Sequence, residues 1–389
     1  MPTPARILIL VRTLKVGGME RVAVDLADAM AEAGHECHVM YFKRRRDELR
    51  PAHPAVRVHA FDLTAAIRRA GIGALVELAS RLLNLVWRKS RFLWIGGIGG
   101  RVLRRRIESL EREFGRFDRL VFRGQGTFEE VWSLRDERAR YVLENVVHDR
   151  GSGWRPRLAA RRLYDGRHLV GVSAGVVESL RAAAARLGFA PASLRVITNP
   201  CPVARIRERM LLPEPDLPTG PYLVNVARLV DQKDHALLLE AYARARPAEP
   251  LVIVGDGPLR AALERHAARL GLGERVRFAG LRKNPYPWMH HARLFVLSSK
   301  FEGLGIVLLE SLACGTPVLA VDCPGGVRDV LRGELAGSLA PHSVEGLAAK
   351  LTEVLAAPRA EVRPEWLEPF TPERVVRAFL GEEVGTSSL

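Results

Sequence analysis

Short apolar runs alternate with amphipathic stretches along all 389 residues, and that alternation restricts the fold more than any other feature. Residues 7–11 form an unbroken apolar run that reads as a buried strand. A loop carrying Gly17-Gly18 follows, then an amphipathic helix over 20–33 stopped by Gly34, then a second strand over 37–41. Further strands are predicted at 56–60, 120–122, 142–147, 169–172 and 196–198 in the first half. In the second half they fall at 222–226, 251–254, 276–278, 294–297 and 318–321, with helices between them, such as 235–244 and 259–270. Strands that alternate with helices belong to parallel sheets covered by helices.

With 48% hydrophobic residues there is material for two cores. The expected fold class is therefore α/β: two Rossmann-like domains whose parallel sheets face each other across a cleft, with ligands at the carboxyl edges of the strands. The first domain is expected over 1–204, with a basic amphipathic insertion at about 66–112. A charged, proline-rich stretch over 205–220 reads as a linker, and 221–358 as the second domain. Residues 359–389 form a C-terminal segment that could return to the first domain.

The formal net charge of +15 points to an anionic partner, although arginine and alanine enrichment is also what a GC-rich genome produces. Four cysteines (Cys37, Cys201, Cys314, Cys323) are scattered without metal-ligand spacing. Cys37 and Cys314 sit in apolar contexts and read as small core residues, so a reducing cytoplasm is the expected location. The apolar run at the start is too short for a signal peptide, and no stretch reaches the roughly 20 residues of a spanning helix.

The segment Ser298-Ser299-Lys300-Phe301-Glu302-Gly303-Leu304-Gly305-Ile306-Val307-Leu308-Leu309-Glu310 carries the chemistry. The strand over 294–297 precedes it, and a helix over 306–314 is ended by Gly315 and Pro317. Glu302 then lies on the turn and Glu310 on the helix. Such a turn presents backbone N–H groups at Leu304, Gly305 and Ile306 and the positive end of a helix dipole, which suit a phosphate. Two carboxylates repel a bare anion but grip hydroxyl groups, and a nucleotide-sugar offers phosphate and hydroxyls together. Either glutamate alone reads equally well as a solvated side chain.

Continued by Ala313-Cys314-Gly315-Thr316-Pro317-Val318-Leu319-Ala320, this segment resembles the donor-site signature of retaining GT-B glycosyltransferases of family 4. The similarity runs from Gly17-Gly18 to Pro341. It implies transfer of a sugar from a nucleotide-sugar, UDP-linked on family frequency, to an acceptor hydroxyl. It implies that Glu302 contacts donor sugar and phosphate with the N–H groups of Leu304 and Gly305, and that Glu310 binds the ribose hydroxyls. The resemblance implies reaction on one face, the leaving phosphate helping to deprotonate the acceptor, with no covalent glutamate intermediate.

In Val226-Ala227-Arg228-Leu229-Val230-Asp231-Gln232-Lys233 a strand end runs into a helix. Arg228 and Lys233 suit a diphosphate, though a pair of surface cations reads as well; the resemblance assigns them to the donor diphosphate. Fixed cations there would stabilise the charge that develops on the departing phosphate. Gly255, in Val254-Gly255-Asp256-Gly257-Pro258, permits close backbone approach to a nucleotide or simply a tight turn. Gly280-Leu281-Arg282 could meet the base through main-chain groups. In the first half, Gly17 and Gly18 match the family's Gly-Gly-x-Glu loop opposite the donor, while glycines there also serve packing. His148, in Asn145-Val146-Val147-His148-Asp149-Arg150, is placed at a strand end where the family often keeps a histidine; a lone histidine is also a common structural hydrogen-bonder. The expected catalytic residues are Glu302, Arg228, Lys233 and His148. No Asp-x-Asp cluster lies near these loops, so neither a metal nor a cofactor beyond the nucleotide-sugar is expected.

Residues 71–87 carry an apolar stripe at helical spacing (Ile72, Leu75, Val76, Ala79, Leu82, Leu83, Val86, Trp87), widened by Leu78 and Leu85. A stripe of this kind is expected to pack on its own core. The stretch Arg88-Lys89-Ser90-Arg91-Phe92-Leu93-Trp94-Ile95, two Gly pairs and Arg101 to Arg106 follow, including Arg104, Arg105 and Arg106. Clustered arginine with tryptophan and phenylalanine suits an anionic membrane surface, here the inner face of the cytoplasmic membrane. The acceptor is then expected to be a lipid-linked or lipopolysaccharide-type envelope glycan. Two rival readings are a nucleotide-sugar epimerase on the same architecture and a nucleic-acid-binding scaffold. The epimerase would need acid/base residues that the first half offers only at His148. The scaffold lacks any nucleic-acid motif, and aromatics are 6% of the chain, so no nucleic-acid partner is expected.

Overall fold

The computed structural model describes residues 4–15, 17–43, 49–87, 90–148, 151 and 153–381. Asp149 and Arg150 of the histidine segment, and Val16 of the glycine loop, lie outside the described residues. The chain divides into two compact units, one of residues 1–200 and 372–389, the other of residues 201–371.

The first unit holds seven parallel strands: β1 (Arg6–Val11), β2 (Glu36–Tyr41), β3 (Arg57–Ala60), β4 (Arg119–Arg123), β5 (Ala139–Leu143), β6 (His168–Gly171) and β7 (Ser193–Val196). Their order in the sheet is β3-β2-β1-β4-β5-β6-β7. The central strand β1 pairs with β2 on one side (Ile7 opposite Cys37) and with β4 on the other (Ile7 opposite Arg119). Ile7 to Leu10 are wholly buried, because helices cover both faces of a parallel sheet. Two strands sit earlier than the sequence pattern predicts. β5 ends at Leu143 rather than Val147, since its ladder to β6 runs from Tyr141 to Leu143 and the next residue, Glu144, turns to a buried arginine. β7 ends at Val196, where its pairing with β6 ends at Gly171, instead of starting there. The helix Gly18–Glu32 opens two residues ahead of expectation, with Gly17 as its extended N-cap.

The basic insertion consists of the helices Leu63–Arg69, Gly73–Val86 and Arg91–Phe114, which pack on one another. Both glycine pairs lie inside the 24-residue helix Arg91–Phe114. A Cβ at Gly99 would stand 2.1 Å from the Glu130 carbonyl oxygen, and one at Gly100 would stand 2.2 Å from Ser133 Oγ. The glycines are therefore a packing seam rather than a break. The C-terminal helix Pro372–Leu380 belongs to this unit, burying Val375, Val376 and Phe379 and packing on Gly18–Glu32.

The second unit holds six parallel strands: β8 (Leu223–Val226), β9 (Leu251–Val254), β10 (Val276–Gly280), β11 (Leu294–Leu297), β12 (Val318–Val321) and β13 (Leu339–Ala340). Their order is β10-β9-β8-β11-β12-β13. The two-residue β13 escaped the sequence pattern because it is too short to show one. The stretch 205–220 is only partly a linker. Its first residues belong to the helix Val203–Met210, which buries Ile206 and whose Arg209 carbonyl accepts from Asn284 Nδ2 at 2.8 Å. All four cysteines are buried and free. Among the described residues no helix is long and apolar enough to cross a membrane.

Candidate functional site

Strand order builds the site in the second unit. From β8 the chain moves outward to β9 and β10, while β11, β12 and β13 lie on the other side, so direction reverses between β8 and β11. Loops leaving the carboxyl ends of two such strands diverge and leave a crevice for a ligand. Arg228 and Lys233 come from the loop after β8, and Glu302 from the loop after β11.

Lys233 and Glu302, 69 positions apart in sequence, meet there: Lys233 Nζ donates to Glu302 Oε1 at 2.5 Å. Ser299 Oγ donates to the same oxygen at 2.6 Å. The backbones of the two loops are tied as well. Ser298 Oγ donates to the Lys233 carbonyl at 2.9 Å, Lys300 N–H to the Gln232 carbonyl at 2.8 Å, and Gln232 Nε2 to the Phe301 carbonyl at 3.0 Å. Below them Asn225 Nδ2 donates to the Val296 carbonyl at 2.8 Å while its Oδ1 faces His235 Nε2 at 3.1 Å. Burial, and secondarily the Lys233 charge, pushes the His235 imidazole down to about 4, so it is neutral at pH 7. The cation beside the carboxylate is thus held by two packed strands.

Glu302 is also fixed from behind. Its N–H donates to the Pro324 carbonyl at 3.0 Å, and it forms a single bridge with Gly325. Gly325 has φ +113°, and a Cβ there would fall 1.6 Å from the Glu302 carbonyl oxygen, so only glycine lets the two backbones meet. After Glu302 the turn passes through buried Leu304 and Gly305 (φ +82°) into the helix Ile306–Ala313, which has no side-chain cap. Its first N–H groups are the donors an anion would use. An ammonium has three N–H donors, and Glu302 is the only partner of Lys233 Nζ among the described residues. Arg228 is exposed, with no ion-pair partner among the described residues.

The other residues singled out in this unit divide into two groups. Gly255 follows β9 with φ +146°, and a Cβ there would lie 1.9 Å from the Ala227 carbonyl oxygen, so the loop before Arg228 is packed directly on it. Gly255 N–H donates to the Gly280 carbonyl at 2.8 Å, which brings the Leu281 loop alongside. Leu281 is exposed. The Arg282 guanidinium pairs with Asp216 at 2.8 Å and Glu214 at 3.6 Å and lies over Trp288, pinning the connecting stretch and fixing the backbone at this position. Glu310 is half-buried and accepts from Tyr286 Oη at 2.9 Å. Sequence reasoning passed over Ser299, Tyr286, Asn225 and His235. The Ser298-Ser299 pair at a strand end was visible, but the Lys233 carbonyl that Ser298 meets lies 65 positions away, and nothing in the sequence marked Ser299 as the neighbour of Glu302.

In the first unit, Gly17 and Gly18 sit at the carboxyl end of β1. A Cβ on Gly17 would come 2.7 Å from the Glu20 carboxylate, whereas one on Gly18 would meet nothing within 4 Å. Glu20 is buried and accepts from Thr13 Oγ1 at 2.8 Å. His148 is exposed in a loop five residues past the end of β5, not at a strand end. The charged pair at this edge is one that sequence reasoning missed. Arg123, wholly buried, forms an ion pair with Glu144 at 2.6 Å and donates to Asn199 Oδ1 at 2.6 Å, and Asn199 Nδ2 donates to Glu144 at 3.2 Å. Burial pushes the Glu144 carboxyl up, and Arg123 opposes it. Among the described residues no group of three or more metal-ligating side chains occurs.

Residues 213–366 match the family of glycosyl transferases group 1. Curated relatives match mainly in part. An N-acetylgalactosamine-N,N'-diacetylbacillosaminyl-diphospho-undecaprenol 4-alpha-N-acetylgalactosaminyltransferase of Campylobacter jejuni is 40% identical over 109 residues, 28% of this chain and 30% of that one. The lipopolysaccharide core biosynthesis glycosyltransferase LpsE of Rhizobium meliloti is 34% identical over 165 residues, 42% of this chain and 48% of that one. The matched stretch thus spans less than half of either relative. Solved structures align far more widely. A glycosyltransferase from Rickettsia africae superposes with a TM-score of 0.66 at 15% identity, covering 97% of both chains. Anabaena Alr3699/HepE in complex with UDP and glucose superposes with a TM-score of 0.64 at 18% identity, covering 97% of this chain and 95% of that one. The two parallel-sheet units are those of the GT-B fold.

Proposed function

We propose that the chain is a retaining glycosyltransferase of family 4 that moves a sugar from a nucleotide-sugar to the hydroxyl of a lipid-linked or lipopolysaccharide-type glycan. The observation that carries the reading is the Lys233–Glu302 contact at the strand-order reversal, directly before an uncapped helix start and inside the stretch that matches group 1. Arg228, Lys233 and the first N–H groups of Ile306–Ala313 supply positive charge where a departing diphosphate gains negative charge. Glu302 accepts from hydroxyls of the donor sugar, and Glu310, steadied by Tyr286, accepts from the ribose. The acceptor oxygen bonds to the anomeric carbon on the face the diphosphate leaves, and the acceptor proton passes to the departing phosphate oxygen. His148, Gly17 and Gly18 belong to the first unit, to which we assign the acceptor. The reading includes no metal and no cofactor.

UDP is the proposed donor nucleotide, supported by the UDP in the Alr3699/HepE complex. The acceptor class is supported by the relatives' names, one a diphospho-undecaprenol N-acetylgalactosaminyltransferase and one a lipopolysaccharide core biosynthesis glycosyltransferase, and the proposed location that goes with it is the inner face of the cytoplasmic membrane. Calorimetric titration of UDP, GDP and ADP into the wild type and Arg228→Ala tests the donor site. Selective binding of UDP that weakens at least about ten-fold in the variant is expected, the loss of one charge-assisted contact. Absence of binding by all three nucleotides would overturn the reading.

A further inference from the structure

The helix Gly73–Val86 is turned the opposite way from a core-packing helix. Its inward positions recur at helical spacing and are polar or small: Gly73, Glu77 at 5% exposure, Ser80 at 0%, and Asn84, whose Oδ1 accepts from Ser90 N–H at 3.0 Å. Its outward positions are aliphatic: Ile72 is 68% exposed, Leu75 69%, Leu78 57%, Leu82 60% and Leu85 78%. The stripe that should pack on the core instead faces solvent, because the inner face is committed to Glu77. That carboxylate gathers Arg68 at 2.9 Å, Arg81 at 2.7 Å and Arg91 at 3.5 Å. A row of large aliphatic side chains left in water is unfavourable, and contiguous exposed apolar residues of this kind mark an interaction surface.

The surroundings identify what covers it. Glu77 is the only acidic residue between 63 and 107, so three arginines share one negative charge and the flank keeps a positive surplus. At the helix end, Trp87 meets exposed Trp154 edge-on with ring centroids 5.3 Å apart, and the Arg155 guanidinium lies over both rings. Apolar rows flanked by arginine and tryptophan suit the boundary between acyl chains and anionic headgroups. A second copy of the same chain would bring arginine against arginine.

We propose that the outward face of Gly73–Val86, with the Trp87–Trp154–Arg155 cluster, inserts into the surface of an anionic lipid bilayer. It deepens the membrane partner proposed above. It also moves the contact away from Arg104, whose guanidinium donates to the Arg135 carbonyl at 3.0 Å.

Flotation with vesicles of equal parts phosphatidylglycerol and phosphatidylcholine, without nucleotide, tests it on the full chain. The wild type should float, and Leu78→Gln/Leu82→Gln, which alters only exposed positions, should lose at least about ten-fold in vesicle partitioning. Unchanged melting of the variant checks the fold, and Trp154→Ala should cut partitioning independently. Equal flotation of wild type and the double variant overturns the proposal, as does a wild type that never floats. A dimer that the double variant splits, with no vesicle retention, overturns it in favour of self-association. UDP binding in the same samples separates the two readings: a wild type that floats without binding UDP refutes the donor assignment and leaves the docking face standing.

Discussion

Replacing Gly325 by alanine should damage the proposed donor site through the backbone of Glu302, and Gly315→Ala is its control. Both glycines have left-handed backbone, with φ +113° at Gly325 and +77° at Gly315, so alanine at either costs about 1–2 kcal/mol in conformation. Space separates them. A Cβ at Gly315 meets nothing within 4 Å, whereas at Gly325 it would stand 1.6 Å from the Glu302 carbonyl oxygen, against the 3.0 Å below which real contacts do not fall. The strands must part by the difference, which breaks the 3.0 Å Glu302 N–H bond to Pro324. That bond adds about 1 kcal/mol, for about 2–3 kcal/mol in all. In a unit of this size each kcal/mol lowers the melting temperature by about 2–4 °C, so Gly325→Ala should lose about 4–12 °C and melt about 2–4 °C below Gly315→Ala, which loses only the conformational part. Displacing Glu302 and its Lys233 partner should also cut sugar transfer about 100-fold. Calorimetric melting and a transfer assay on both variants read the two effects. If they melt within about 2 °C of each other and transfer equally well, the close contact does not position Glu302.

Two further perturbations follow from buried titratable groups. The His235 imidazole is held down to about 4, while an unfolded histidine titrates near 6.5, so below about pH 6.5 the unfolded chain binds the extra proton. Stability is complete above pH 6.5 and falls as the pH drops toward 4, by about 3 kcal/mol from this group. Urea midpoints at pH 7 and 4.5 should show the loss, and His235→Gln should flatten it; identical slopes would contradict the assignment. Glu144→Leu leaves Arg123 buried without its carboxylate and should cost about 3–5 kcal/mol, much more than Arg123→Met/Glu144→Leu together. A double variant no milder than the single, by chemical denaturation, would show that the pair is not coupled.

What the sequence determined by itself is what short range controls. Strand–helix alternation specified two parallel-sheet units, because side-chain period and turn residues act within a few positions. The turn and helix carrying Glu302 and Glu310 were legible for the same reason. Strand boundaries at β5 and β7 were not, since a ladder ends where its neighbours end. Tertiary structure alone joined Lys233 to Glu302 and Arg123 to Glu144, because strand order decides which distant loops become neighbours. It also joined the Arg282 side chain to Asp216 and Glu214 of the connecting stretch. The helix Gly73–Val86 shows the limit most clearly. Its period announces an apolar stripe, but which side a helix turns inward depends on the partners it finds. Here a buried carboxylate ringed by arginines outweighed the leucines, and the stripe was left facing out.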